Sequence, residues 1–318
     1  MSKEKAYLYL EGIQQLAQEV RGDEKIYTAI RPYALHAGNV LSIVAYPYLL
    51  CENVKKHGIE PRFEFIVSIN DWEQDQLIGP DIHKYIFDAK PLHTTIAHAV
   101  DSDGNNMVDK WQPHIETEVS KIKKDFPHVI ITFVRNSSLK PHPLMKHVLL
   151  HTIEHFKEHK ELLLKTTGKP TLGETMHFAN ALCSRCLDAN TNTQLLTDGS
   201  LETNCENCGK HEVRSYDDCD FWLYHKQLFP PRLAILDFEI TISGADHYLQ
   251  GDFEVRKALF EYIYNKPMPT VKMAFAPLLL APDGDKMSKS RKNDFYLPFE
   301  DILPHARTNF SPSLQITE

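Results

Sequence analysis

Residues 25–70 read KIYTAIRPYALHAGNVLSIVAYPYLLCENVKKHGIEPRFEFIVSIN. The first six are apolar and partly β-branched, which predicts a strand. RPYALHAGN follows as a turn-like stretch. The apolar period of the next residues predicts a helix, with a kink at Pro47 and a stop at Gly58. Arg62–Asn70 then predicts a second buried strand. Strand, loop, helix, strand is the βαβ unit of a parallel sheet.

The same alternation continues outward. HIETEVSKIKKDF is helical and Val129–Arg135 a strand; residues 142–170 predict one long helix ended by Gly168 and Pro170. RLAILDFEITISGADH, from Arg232, reads as a strand running into a glycine loop. DFEVRKALFEYIYN is a helix with Asp252 as its cap. Upstream, residues 1–20 alternate charge and apolarity as an amphipathic helix does. The expected fold is α/β, a Rossmann-like doubly wound parallel sheet, with one departure: a Cys/Asn/Thr/Gly-rich segment at 180–215 inside a core that otherwise spans 1–318.

The composition, 42% hydrophobic and 25% charged, is that of a folded globular chain. A net charge of -8 disfavours a broad basic surface for non-specific nucleic-acid binding but allows a local basic patch. No apolar run reaches the roughly 20 residues that span a bilayer. The first residues lack a signal peptide's apolar core and cleavage site. The chain reads as cytoplasmic, with no membrane partner.

Two loops carry the chemistry. In a doubly wound sheet, ligands bind beyond the carboxyl ends of the strands, near helix N-termini. His36-Ala37-Gly38-Asn39 stands at that place after the first strand of the βαβ unit. Gly38 allows close approach of backbone to ligand, and His36 and Asn39 supply donors. The bland reading of that tetrapeptide is a turn and helix cap. The second loop is Gly284–Asp294, GDKMSKSRKND, behind the apolar run FAPLLLAPD. Lys286 and Lys289 on a pliable loop can follow negative charge as it shifts along a polyphosphate; a solvated surface loop is the alternative.

Together these residues resemble the catalytic domain of class I aminoacyl-tRNA synthetases, which carry a His-Ile-Gly-His-type loop after the first strand and a Lys-Met-Ser-Lys-Ser loop after the last. Here the first has Ala37 for isoleucine and Asn39 for the second histidine; the second, Lys286-Met287-Ser288-Lys289-Ser290, is intact. FIVSINDWEQDQL resembles the Ser-x-Asp-Asp-x-Asp stretch of the class I type of lysyl-tRNA synthetase, with Asn70 and Asp71 where two acids would sit, then Asp75. Gly244, Asp246 and His247 match that enzyme's Gly-Lys-Asp-His stretch, with Ala245 for lysine; DFWLYHKQLFPPRLAIL departs from its Asp-Trp-Pro-x-Arg-Trp pattern. The resemblance covers about residues 25–300.

It implies ATP-dependent activation of an amino acid to an aminoacyl-adenylate, with Mg²⁺ sharing the phosphate charge and transfer to an acceptor, the tRNA acceptor end first among the candidates. His36, Asn39, Lys286 and Lys289 would be catalytic. Gly38, Asp71, Gly244, Asp246, His247, Met287, Ser288 and Ser290 would bind ATP or substrate. For Gly244 and Asp246 the plain alternative is a tight turn capped by Asp. The residues after the lysine loop are too few for the lysyl enzymes' helical anticodon-binding region. The implied alternatives are therefore a stand-alone paralogue charging a carrier protein or small molecule, or a catalytically silent regulatory or tRNA-binding paralogue.

Cys183, Cys186, Cys205 and Cys208 form C-x2-C-x18-C-x2-C, the spacing of a structural zinc ribbon. Redox pairs or core thiols are the alternatives. His147, His151, His155 and His159 recur every fourth residue and predict a partly exposed helix flank rather than a metal or pH-sensing site. Trp72 and Trp222 are candidates for the pocket wall, with core packing as the commoner role.

Overall fold

A computed structural model describes residues 6–32, 35–73, 94–100, 103–167, 178–281, 284–287 and 295–315. Its centre is a parallel sheet of six strands. β1 (Ala6–Leu8), β2 (Lys25–Ile30), β3 (Glu64–Ile69) and β4 (Ile130–Arg135) come before the cysteine segment. That segment holds β5 (Ala179–Ala181), β6 (Thr191–Leu195), β7 (Leu201–Cys205), β8 (His211–Arg214) and β9 (Phe221–Leu223). β10 (Ile240–Gly244) and β11 (Lys272–Ala276) complete the sheet, and β12 (Leu278–Leu280) pairs with β13 (Ser313–Gln315) outside it. The order is β1-β11-β10-β2-β3-β4, with every pair parallel.

Period-two alternation explains why both faces are covered. Ile26, Ile30, Phe65, Val67, Ile69, Ala274 and Ala276 face one core, shared with helices Tyr9–Ala17, Tyr46–Lys56, Met107–Ser120 and Phe299–Ala306. Tyr27, Ile66, Met273 and Phe275 face the other, packed by Phe229 and Leu233 on one helix and Phe260 on the next. Each fully buried side chain of this size contributes roughly 1.5–3 kcal/mol of transfer free energy. Parallel neighbours need crossover connections, and the helices in those crossovers cover both faces.

Several local expectations are corrected. Arg232 is not in a strand: Phe229–Leu236 is a helix, started by Pro230 and Pro231 and ended by Asp237 in the left-handed region. Pro47 is the second residue of helix Tyr46–Lys56, directly after a π turn over Leu41–Ala45 in which the Tyr46 N–H reaches the Leu41 carbonyl. The long helix breaks at His155 into Pro143–Glu154 and Phe156–Thr167; Gly168 and Pro170 lie outside the described residues. The stripe flanks the helices as read, with His147 exposed and His151 and His155 half-buried, and its last member turns inward. His159 is fully buried, its Nδ1 bonded to Gln227 and its Nε2 3.0 Å from His151 Nδ1. Burial pushes His151 down to about 4 and His159 lower still.

The amphipathic N-terminus is likewise shared between β1 and the helix after it. Asp252 is not the cap of helix Asp252–Tyr264 but its first residue; Gly251 holds the cap position in the left-handed region.

Candidate functional site

The strand order reverses between β2 and β10. From β2 the chain winds to β3 and β4; from β10 it winds the other way, to β11. A crevice must open where the two crossovers diverge. A cavity of about 530 Å³ lies there, lined at the strand ends by Ile30 and Arg31 on one side and Ser243 and Gly244 on the other.

His36, Gly38, Asn39, Gly244, Asp246, His247, Lys286 and Met287 all line this cavity. His36 caps the helix beginning at Ala37. Its Nδ1 accepts from the Asn39 N–H at 3.3 Å, and Asn39 Oδ1 accepts from the His36 N–H at 3.5 Å, a reciprocal capping box. The cap and the ligand-facing reading of this loop therefore coexist. Gly38 also bears on the His36 ring. A Cβ there would stand 3.1 Å from the His36 ring, so the missing side chain is what seats the imidazole. Gly244 does the same for Asp246, whose Oδ1 would be 2.7 Å from an added Cβ.

The lysine loop meets the histidine loop at its far end. Ala37 N–H donates to the Phe295 carbonyl at 2.9 Å. At its near end, Lys286 bridges back to Leu280 and Met287 is buried in the core, with its N–H on the Leu279 carbonyl. Lys286 Nζ lies 3.3 Å from Asp246 Oδ2. Burial raises Asp246, but His247 and Lys286 outweigh it and hold the carboxylate below its ordinary range. Ser288, Lys289 and Ser290 lie outside the described residues.

Asp71 is not part of this cavity. Its carboxylate is buried and accepts from the Ser137 N–H at 3.1 Å and from the Ser137 hydroxyl. Burial pushes Asp71 up, opposed by those two bonds. Trp72 packs edge-on against Phe221, and Trp222 packs with Leu182 and Ala189; neither lines the cavity.

The inner end of the cavity is built from residues that no sequence pattern marked. Glu73 is buried and paired with Arg31. Burial raises Glu73, and Arg31, His225 and Arg232 together bring it below normal. Asp252 is buried against Lys226 at 3.1 Å, His247 Nδ1 at 2.7 Å and Arg256 at 3.7 Å. Burial raises it, but those partners hold it far below the usual carboxylate range. Burial pushes His225 down to about 4, with Glu73 pulling the other way. Arg232 is buried, and its three nitrogens donate to Asn136, Tyr27 and Asn70. A helix predicted as a strand concealed it: the apolar run around Arg232 gave no reason to turn a guanidinium inward.

The cysteines converge elsewhere. The four Sγ atoms lie within 4.8 Å of one another, with Cys183–Cys208 at 3.5 Å and Cys186–Cys205 at 3.6 Å. Two tight turns hold them, one closed by Leu187 N–H on Cys183 O and the other by Gly209 N–H on Cys205 O. Gly209 has φ +69°, which a side chain would strain. Four thiol sulfurs at that spacing fit a tetrahedral ion with sulfur bonds of about 2.3 Å, as zinc makes. The surrounding strands run from Ala179 to Leu223, because β5 closes antiparallel on β9, a wider span than 180–215.

The family model described as "tRNA synthetases class I (K)" matches residues 33–309. The chain belongs to the class I tRNA synthetases. Among solved structures, it is similar to Leishmania major tyrosyl-tRNA synthetase in complex with tyrosinol: 12% identity, TM-score 0.43, covering 90% of this chain and 32% of that one. It is also similar to Mycoplasma pneumoniae tryptophanyl-tRNA synthetase, at 13% identity and TM-score 0.36, covering 86% and 60%. A glutamate tRNA ligase from Elizabethkingia meningosepticum, in complex with its amino acid, matches at 14% identity and TM-score 0.36, covering 84% and 52%. This synthetase-family chain thus spans between a third and three fifths of the length of those proteins. No curated protein matches the sequence. Among the described residues, no helix is long and apolar enough to cross a membrane.

Proposed function

We propose that the cleft between β2 and β10 binds MgATP and an amino acid and joins them as an aminoacyl-adenylate. The observation that carries this reading is the convergence of His36, Asp246 and Lys286, from three separate strand ends, on one cavity. An oxygen of the amino-acid carboxylate attacks the α-phosphorus; the bond from that phosphorus to the bridging oxygen breaks, and pyrophosphate leaves. The carboxylate is already ionised, so no general base is needed. Catalysis is then positioning and charge stabilisation.

In this scheme, the His36 and Asn39 side chains, at the start of their helix, hold the phosphates. Asp246 accepts hydroxyl hydrogen bonds from the nucleotide. Lys286 exchanges its contact with Asp246 for the departing pyrophosphate, and Lys289 and the two serines assist from the same loop. The cysteine cluster holds a structural Zn²⁺ with no open position. Mg²⁺ arrives on the nucleotide and shares its charge.

The resemblance of its motifs makes the lysyl type of the class our first reading, and the acceptor we favour is the tRNA acceptor end. The test is ATP–pyrophosphate exchange with each amino acid in turn. Exchange with one of them supports adenylation. No exchange with any, in zinc- and magnesium-replete protein, sinks it in favour of a silent paralogue. Adding tRNA, then candidate carrier proteins, to the adenylating enzyme separates the acceptors.

A further inference from the structure

The two cysteine turns are not equal. Each is followed by a residue in the left-handed region, Gly209 at φ +69° and Leu187 at φ +59°. Glycine takes that conformation freely and leucine does not. The turn from Cys183 to Cys186 is therefore the strained one, and it persists only where its surroundings hold it.

Glu212, on β8, joins that turn to the other. Its Oε1 accepts from the Ser184 N–H at 2.9 Å and its Oε2 from the Ser184 hydroxyl at 2.5 Å. Ser184 directly follows Cys183, inside the first turn. Lys210 belongs to the second turn, where its carbonyl accepts from the Cys205 N–H at 2.9 Å. Its ammonium lies 3.0 Å from Glu212 Oε2 and also donates to the Ser184 hydroxyl. Arg214 lies 3.1 Å from Glu212 Oε1 and donates to the carbonyl of Leu182, the residue before Cys183. The Glu212 side chain is only 10% exposed. Hydrogen bonds to an ionised group are the strong ones, and burial shields them from salt.

We propose that Glu212 is a positioning residue of the cysteine site: its carboxylate pins one turn to the other and so keeps four sulfurs in reach of one Zn²⁺. The inference rests on the zinc reading and is independent of adenylation. Groups that orient metal ligands from outside typically cost about tenfold to a hundredfold in affinity when replaced.

The test is the zinc dissociation constant of the full chain, measured by competition with a chromophoric chelator, together with the absorption bands of the cobalt-loaded protein, which report tetrahedral thiolate geometry. Glu212→Gln keeps the shape but sets a neutral amide against Lys210. It should weaken zinc by about tenfold to a hundredfold and alter the cobalt bands. Glu202→Gln breaks the pair with His211 at 2.8 Å in the same small sheet and should change neither. Lys210→Met should weaken zinc and add little on top of Glu212→Gln, because the two act through one clasp; it carries the test alone if Glu212→Gln does not fold. Zinc held as tightly by Glu212→Gln as by the unaltered chain overturns the inference and leaves the zinc reading standing. An equal loss in Glu202→Gln overturns it too, by assigning the effect to the stability of the sheet. An unaltered chain that takes up no zinc refutes the zinc reading and this inference with it.

Discussion

In the cysteine module, four sulfurs meet because two short turns each deliver a pair, so the ligand set is written in local spacing. In the cleft, His36, Asp246 and Lys286 meet only because β2, β10 and β11 are neighbours in one parallel sheet, and the chain must complete the whole winding first. One site is set by turns of a few residues, the other by topology. If the proposed zinc is there, the first should fail all at once when it is removed; the second should lose function in graded steps while the sheet survives.

The largest effect should come from the module. Chelation, or Cys183→Ser, should strip about one zinc per chain and unfold the strands from Ala179 to Leu223, read as a separate early transition in calorimetry and as new protease cleavage there. A metal-free preparation that keeps this region intact would remove the contrast.

Next is Lys286→Ala. Losing one donor to a developing charge costs about 10²–10³ in rate, so exchange should fall by that much while the melting temperature moves little. His36→Ala should cost about a hundredfold in exchange. It also removes the helix cap, about 1 kcal/mol of stability, so both activity and melting should shift, unlike Lys286→Ala. A smaller loss is expected from Gly38→Ala, whose added methyl presses on the imidazole at 3.1 Å. A roughly tenfold drop in exchange with normal zinc content would place the defect in the ring's position.

The smallest effect concerns the buried histidines. In the unfolded chain these imidazoles take up protons near pH 6.5; in the folded chain His151 does so only near 4 and His159 lower still. The unfolded state therefore binds more protons below about pH 6.5, and stability present at neutral pH should decline on acidification toward pH 4. The paired replacements His151→Gln and His159→Gln should flatten that slope in urea melts taken from pH 7 to 4.5. An unchanged slope would assign the acid sensitivity to other groups.

What could be read in the sequence follows the same division. Local signals were readable: the strand–helix alternation, the paired cysteines, the glycine before Asp246, the lysine loop. The inner pocket was not. Arg232, Asn70, Tyr27 and Asn136 come from four elements and acquire meaning only when β2, β3 and helix Phe229–Leu236 are packed together. The apolar run around Arg232 favours strand and helix alike, and only Pro230 and Pro231 at the first turn decide for helix. Asp71 shows the converse. It sits beside Asn70 in sequence, yet β3 points it away from the cavity to Ser137. The histidine stripe has a period that fits a partly exposed flank, which holds for His147, His151 and His155; the burial of His159 against Gln227 depends on an element far along the chain.

The most direct test of the account is a crystal structure of the full chain with a non-hydrolysable ATP analogue and magnesium. The expected result is the triphosphate in the crevice between β2 and β10, with phosphate oxygens in hydrogen-bond reach of His36 and Lys286 and the ribose against Asp246. A nucleotide seated anywhere else, or a crevice that stays empty at saturating analogue, would contradict it.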